Sequence, residues 1–160
     1  MPLILKQMSQ LNNKIPPPII ALCIAVLIWL VARSSFALPL TLPGIRAAGI
    51  ALIVVGVSID LISVLAFFRA RTTVNPLNPN ASSYIVRSGL YRVSRNPMYL
   101  GMLISLSGWA LWVNSITAFL LLPLFVFYIT RFQIVPEERI LLEKFGEDFA
   151  QYMREVRRWL

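Results

Sequence analysis

Four apolar runs, separated by polar breaks, set the plan of the chain. The first spans about Ile19 to Ala32 and follows a polar lead and three prolines, Pro16 to Pro18. The second, about Ile45 to Phe68, is long enough to cross a bilayer with some tilt. The third and fourth, about Pro97 to Val113 and Ser115 to Phe132, meet at Asn114-Ser115. So short a link predicts an antiparallel helical hairpin. The first run lacks an Ala-x-Ala-like cleavage site, and Leu22 before Cys23 is too large for a lipoprotein-type site. A retained, somewhat short transmembrane helix is therefore expected instead of a secretory signal.

Between the runs, Ser34 to Gly44 carries Pro39 and Pro43 and reads as a loop. Arg69 to Arg95 holds five arginines and no acids, and its Thr72–Asn80 stretch is dense in Asn and Pro, as turns are. The tail from Gln133 to Leu160 is amphipathic. Its Leu141, Phe145, Phe149, Tyr152, Val156 and Trp159 recur at three- and four-residue steps on one helical face, and Gly146 divides it into two helices. Such a tail either lies on the bilayer or folds back over the loops. The pattern thus predicts an all-α integral membrane protein. It has about four transmembrane helices, with a C-terminal helical hairpin and amphipathic cytoplasmic tail helices. All of it forms one domain over residues 1–160, with two spans in 1–70 and a core in 71–160.

Composition agrees, since 58% of the 160 residues are hydrophobic and only 14% charged. A soluble domain of that size needs more charge on its surface. The net charge of +8 would suit nucleic acid, but its placement explains it otherwise. With four spans, the lead, the Arg69–Arg95 loop and the tail share one side, which holds every Lys and Arg except Arg33 and Arg46. By the positive-inside rule that side is cytoplasmic. A multi-pass protein with both termini in the cytoplasm follows, with the bilayer as its partner and no nucleic acid. The single Cys23 excludes an intrachain disulfide and a cysteine metal site. The absence of His removes the commonest metal ligand and the usual base near neutral pH, so no metal is expected.

Two polar clusters carry the chemistry. Gly89 to Gly101 reads Gly-Leu-Tyr-Arg-Val-Ser-Arg-Asn-Pro-Met-Tyr-Leu-Gly, between a basic loop and the third run. Asn96 before Pro97 predicts a helix start, with Asn capping first-turn N–H groups and Pro at the first helical position. Such a start, with Arg92 and Arg95 just ahead, suits an anion. Tyr91 and Tyr99 add flat faces that hold a ring. The plain alternative is a membrane helix with Arg and Tyr as interfacial anchors. The second cluster is Glu137-Glu138 after Pro136, with Arg131 at the end of the fourth span. Its plain alternative is a pair of first-turn acids complementing a helix dipole.

The hairpin puts residues 97 and 132 at one membrane face, so Arg95, Asn96 and Tyr99 must approach Arg131, Glu137 and Glu138. Arginines and helix N–H groups suit a carboxylate, the glutamates an ammonium or ribose hydroxyls, and the aromatic and Met side chains a flat base. The set matches a zwitterionic nucleoside such as S-adenosylmethionine without being unique to it. Asp60 is a further acid, within the second span. An intramembrane carboxylate is functional by default, although an interfacial position or a helix contact explains it equally well.

The Gly89–Gly101 stretch, then Pro-Glu-Glu-Arg-Ile-Leu-Leu-Glu-Lys-Phe-Gly-Glu-Asp-Phe, Tyr152 and Arg157-Arg158-Trp159, resembles the isoprenylcysteine carboxyl methyltransferase and phospholipid methyltransferase superfamily. The resemblance covers about Arg71 to Leu160, the superfamily's usual catalytic core. It implies a helical membrane enzyme that binds S-adenosylmethionine at the cytoplasmic face, enclosed by C-terminal helices. Arg95, Asn96, Pro97, Met98 and Tyr99 then correspond to its cofactor motif, with Tyr91 beside them. Glu137 and Glu138 correspond to its Glu-Glu pair, and Arg131 to the arginine upstream. Isoprenylcysteine enzymes typically carry His where this chain has Asn96; phospholipid enzymes can read Asn-Pro-Met-Tyr, whereas the tail is more like the isoprenylcysteine side.

The implied reaction is methyl transfer to a lipophilic, membrane-resident acceptor. Arg131 would orient a carboxylate acceptor, and Glu138 would take the proton of an amine. The competing readings are an NADPH-dependent reductase of the steroid 5-alpha-reductase type, which has a similar C-terminal pattern, and a non-catalytic membrane scaffold subunit.

Overall fold

In the computed structural model, residues 15–69 and 84–160 are described, and they are helical except for turns and a single β-bridge between Pro39 and Ser115. The polar lead before Ile15 and the Thr72–Asn80 stretch lie outside the described residues. The helices are α1 (Pro17–Arg33), α2 (Ile45–Arg69), α3 (Pro97–Trp112), α4 (Leu122–Ile129), α5 (Val135–Phe145) and α6 (Glu147–Glu155). A 3₁₀ turn covers Gly89–Arg92, another Thr117–Leu121, and a π turn Thr130–Ile134.

Helix α3 is the centre, and glycines set how closely α2 approaches it. The buried residues of α2 are Gly49, Gly56 and Ser63, spaced by two helical turns on one face. Opposite them stand Gly101, Ser105 and Gly108. A Cβ on Gly56 would lie 2.5 Å from the Gly101 carbonyl oxygen, and one on Gly49 would lie 2.6 Å from that of Gly108. The reverse holds too, with Gly101 at 2.7 Å from the Gly56 oxygen and Gly108 at 2.5 Å from that of Gly49. Backbone therefore packs on backbone. Within a bilayer, where apolar burial gives helices little reason to associate, this close van der Waals fit is the attraction available.

The other side of α3 faces α1 and the fourth apolar run. Ile24 and Ile28 of α1 join Tyr99, Leu106 and Ala110 of α3 with Ala118, Phe125, Ile129 and Ile134 in one core. The Trp109 indole N–H donates to the Ala25 carbonyl at 3.0 Å, and the Gln133 amide to that of Ile15 at 2.7 Å. Asn114 makes the tight turn after α3 in the left-handed region (φ 58°), which Asn tolerates better than most residues. The Ser34–Gly44 loop braces that turn through Leu40 N–H to Asn114 O (3.0 Å) and Ile116 N–H to Leu38 O (2.9 Å).

Away from these contacts the helices are bare. Ile50, Val54, Leu61, Ile62 and Leu65 of α2 are all about half exposed or more, as are Leu22, Val26 and Leu30 of α1. An apolar area of that extent belongs in lipid. Among the described residues two helices are long and apolar enough to cross a membrane, α2 with 25 residues and the continuous helix Thr117–Phe145 with 29. At 1.5 Å per residue α1 and α3 reach only about 25 Å, against a hydrocarbon core of about 30 Å.

The tail does not begin where the hydropathy falls. The sequence pattern ends the fourth span at Phe132 and starts a separate tail at Gln133, but the helix continues unbroken to Phe145. Pro123 and Pro136 would each remove a helical hydrogen bond. The 3₁₀ turn before Pro123 and the π turn before Pro136 absorb those losses, and each proline falls at the start of a regular stretch. The resulting rod is about 43 Å long, longer than a hydrocarbon core of about 30 Å.

Gly56→Val is expected to destabilise the α2–α3 pair by roughly 1–3 kcal/mol, by overpacking against backbone. Ile53→Val, next to the same seam, should cost less. Thermal unfolding in detergent checks both, and equal melting temperatures for Gly56→Val and wild type would show that the seam tolerates a side chain.

Candidate functional site

At the start of α3 four residues, 93–96, carry the chain from the Gly89–Arg92 3₁₀ turn into the helix. Gly89 opens that turn at φ 60°, where L side chains are strained. Pro97 stands at the first position of α3, as its missing N–H permits. The expected Asn96 cap does not form. No side-chain cap bond is present, and the Asn96 amide instead donates to the Arg158 carbonyl at 3.0 Å. The returning tail has taken the amide, and the Asn96 N–H is held by Ser94 Oγ at 3.1 Å. The first-turn N–H groups of α3 are thereby left without a side-chain acceptor, and they carry the positive end of the helix dipole.

The tail folds back onto this turn. Phe149, Tyr152 and Val156 pack with Ile85, Leu141, Phe145 and Met153. Gly146, at φ 54°, makes the bend between α5 and α6. The Tyr152 hydroxyl donates to the Tyr91 carbonyl at 2.7 Å, the Arg87 guanidinium to the Asp148 carbonyl, and the Arg95 N–H to the Arg157 carbonyl at 3.0 Å. Five of the six residues expected on one apolar face thus share a cluster. Trp159 departs from it to join the main core, where its indole donates to Thr130 Oγ1 at 3.1 Å.

Glu138, 8% exposed, is the knot. Its Oε1 accepts from Arg95 at 2.6 Å and from Arg158 Nε at 3.1 Å, and its Oε2 accepts from Arg158 Nη2 at 2.6 Å. Arg95 also donates to the carbonyls of Met153 (2.8 Å) and Val156 (3.0 Å), which leaves its Nε buried without a partner. Hydrogen bonding to Glu138 holds the Arg158 guanidinium above its ordinary pKa. One residue earlier, Glu137 Oε1 accepts from the Tyr99 hydroxyl at 2.7 Å. Burial pushes the Tyr152 phenol up to about 12, with Arg95 and Arg87 pulling it back in part. Burial likewise pushes Tyr91 far up, helped by the charges of Glu137 and Asp60.

The structure therefore gathers Tyr91, Arg95, Asn96, Pro97, Met98, Tyr99, Glu137 and Glu138 where the α3 start, α5 and the tail meet. Arg131 is the exception, since its guanidinium lies 5.6 Å over the Phe132 ring and bonds none of these groups. Both oxygens of Glu138 are engaged by guanidinium groups, in charge-assisted hydrogen bonds. Residue reasoning missed Arg158, Ser94 and Tyr152 as members. Periodicity placed Tyr152 on the apolar face of the tail without assigning it to the site, Arg158 was marked by the resemblance alone, and no local spacing links residue 158 to residue 95.

Comparison with known proteins gives this arrangement a family. A model described as phospholipid methyltransferase matches residues 45–148, well over half of the chain, and the chain belongs to that family. The match begins with α2, so the second apolar run is part of the family's pattern and not merely apolar. An uncharacterised protein of Haemophilus influenzae is 43% identical over 63 residues, 39% of this chain and all of its own length. No solved structure matches the chain.

Glu138→Gln removes the charge that two guanidinium groups share. Losing one partner of a buried pair typically costs about 3–5 kcal/mol, less here because the Arg158 side chain is 38% exposed. The tail should loosen, and trypsin should cut within residues 147–158 about tenfold faster, as mass spectrometry would read. An unchanged cleavage rate would mean that the ion pairs do not hold the tail.

Proposed function

We propose that the protein transfers a methyl group from S-adenosylmethionine to a lipophilic acceptor resident in the membrane. The observation that carries this reading is the junction of the α3 start with Glu137-Glu138 under the returning tail, in a chain of the phospholipid methyltransferase family. The residues present fit such a cofactor. The uncapped N–H groups at the start of α3 and the unpartnered Arg95 Nε suit its carboxylate. Glu137 and Tyr99 suit its ammonium or ribose hydroxyls, and Tyr91 and Met98 its base.

When bound, S-adenosylmethionine supplies a methyl carbon already activated by a sulfonium. The protein's part is then positioning and exclusion of water, which explains how a chain without His can work. Arg95 and Glu138 hold the wall, and the tail closes it. Arg131 stands free to orient an acceptor that carries a negative group. In the bilayer, α1 and α3 complete a four-span bundle with α2 and the long helix. Both termini and the site lie on the cytoplasmic side, where Arg87, Arg92, Arg95, Arg139 and the tail arginines gather.

The test is calorimetry on detergent-purified protein with S-adenosylmethionine and, separately, NADPH. Binding of S-adenosylmethionine alone is expected, weakened at least about tenfold in Arg95→Ala and Glu138→Gln. Binding of NADPH alone would indicate a reductase, and binding of neither to folded protein would indicate a scaffold.

A further inference from the structure

Two arginines stand apart from the rest of the positive charge. Arg33 closes α1 and Arg46 lies in the first turn of α2, at the end of the bundle remote from Glu138. Packing puts both near the hairpin turn. A Cβ on Gly49, one turn along from Arg46, would lie 2.8 Å from the backbone nitrogen of Trp112. Trp29 stands one turn beyond Ala25, whose carbonyl takes the Trp109 indole, and the Arg33 guanidinium lies 4.3 Å over the Trp29 ring. Pro39, in the loop that joins the two arginines, bridges to Ser115. Both side chains are exposed, and among the described residues neither pairs with a carboxylate. Every acid but Asp60 falls between residues 137 and 155, and Asp60 sits against Gly101, toward the other end of α3.

The joining loop is itself apolar. Its Phe36, Leu38 and Leu42 are each more than half exposed, a surface that another apolar phase must cover. In the four-span bundle, α1 and α3 are shorter than the hydrocarbon core, so they draw this loop to the level where acyl chains meet headgroups. There the three side chains enter the acyl region, and the rings of Trp29 and Trp112 sit at the boundary. Guanidinium groups at that depth reach outward for phosphate, which their planar fork of donors matches. A zwitterionic headgroup would also bring a cation, which an end with two positive charges and no acid repels. The Trp29 face that would receive a choline is already taken by Arg33. Lipid of net negative charge is the complement.

We infer that Arg33 and Arg46, with the apolar loop between them, form a binding surface for an anionic phospholipid of the leaflet opposite the candidate site. Such a partner accounts for two positive charges on the side that the positive-inside rule leaves poor in them. The surface rests on the four-span arrangement and not on methyl transfer, so its test is independent of S-adenosylmethionine binding.

The test uses the full chain in phosphatidylcholine nanodiscs that contain a minor share of brominated phosphatidylglycerol or, separately, brominated phosphatidylcholine. Bromine quenches indole fluorescence only at close range, and Trp29, Trp109 and Trp112 lie at this end. Lipid gathered by the arginines of the other end meets only Trp159. Wild type should be quenched at least about twofold more by the brominated phosphatidylglycerol. That excess should vanish in the Arg33→Gln/Arg46→Gln double variant and persist in Arg33→Lys/Arg46→Lys, which keeps the charge. Equal quenching by the two lipids in wild type, or an excess that survives the Gln pair, would overturn the inference. Loss of the excess in the Lys pair as well would overturn it too, since positive charge would then not be what draws the lipid. Weak quenching by both lipids, with a dimeric mass in native mass spectrometry, would put a second copy of the chain on this surface instead.

Discussion

A carboxylate largely removed from water must be answered by positive charge, and Glu138 is answered by two guanidinium groups from opposite ends of the core. Arg95 precedes α3, Glu138 belongs to α5, and Arg158 follows α6. Desolvating each of these ions costs several kcal/mol, so the arrangement persists only with nearly all donors and acceptors filled. The tail's own carbonyls supply acceptors, those of Met153 and Val156 for the Arg95 guanidinium, that of Arg157 for the Arg95 backbone N–H and that of Arg158 for the Asn96 amide. Remove the tail and Arg95 and Asn96 lose their acceptors. Remove Glu138 and the tail loses its anchor. The site and the closure over it are therefore a single electrostatic unit.

The membrane part answers a different constraint. Apolar surface gains nothing by burial against more apolar surface, so helices must be held by shape and by a few polar contacts. The α2–α3 seam does this with glycine backbone on glycine backbone, and the Trp109 and Gln133 bonds to carbonyls of the first segment tie α1 in. The seam also seats a carboxylate. Gly101 is both a packing glycine and the surface on which Asp60 rests, so close packing and a carboxylate at that depth arise from the same residue.

The long Thr117–Phe145 helix joins the two regimes. Its first turns are apolar and largely exposed, and its last turns carry Glu137 and Glu138. The π turn between them changes the helix phase just before Pro136, which orients both acids toward the α3 start. A regular helix through Pro136 would have had to break or kink there.

Apolar periodicity and charge placement determined, from the sequence alone, the helical class, the four apolar runs, the hairpin at Asn114 and the approach of Arg95 and Tyr99 to the glutamate pair. These depend on residue type and local spacing, and a link as short as residues 113–116 turns the chain back on itself. The family resemblance was equally legible in the Asn-Pro-Met-Tyr and Pro-Glu-Glu stretches. Tertiary structure alone decided that Asn96 caps nothing and that the helix continues past Phe132. It also placed Arg158 on Glu138, left Arg131 aside and set Asp60 over Gly101. Each of these results from competition between partners far apart in the chain. A carbonyl 62 residues away outbid the local N–H groups for the Asn96 amide, and no pattern read along a single strand of sequence contains that contest.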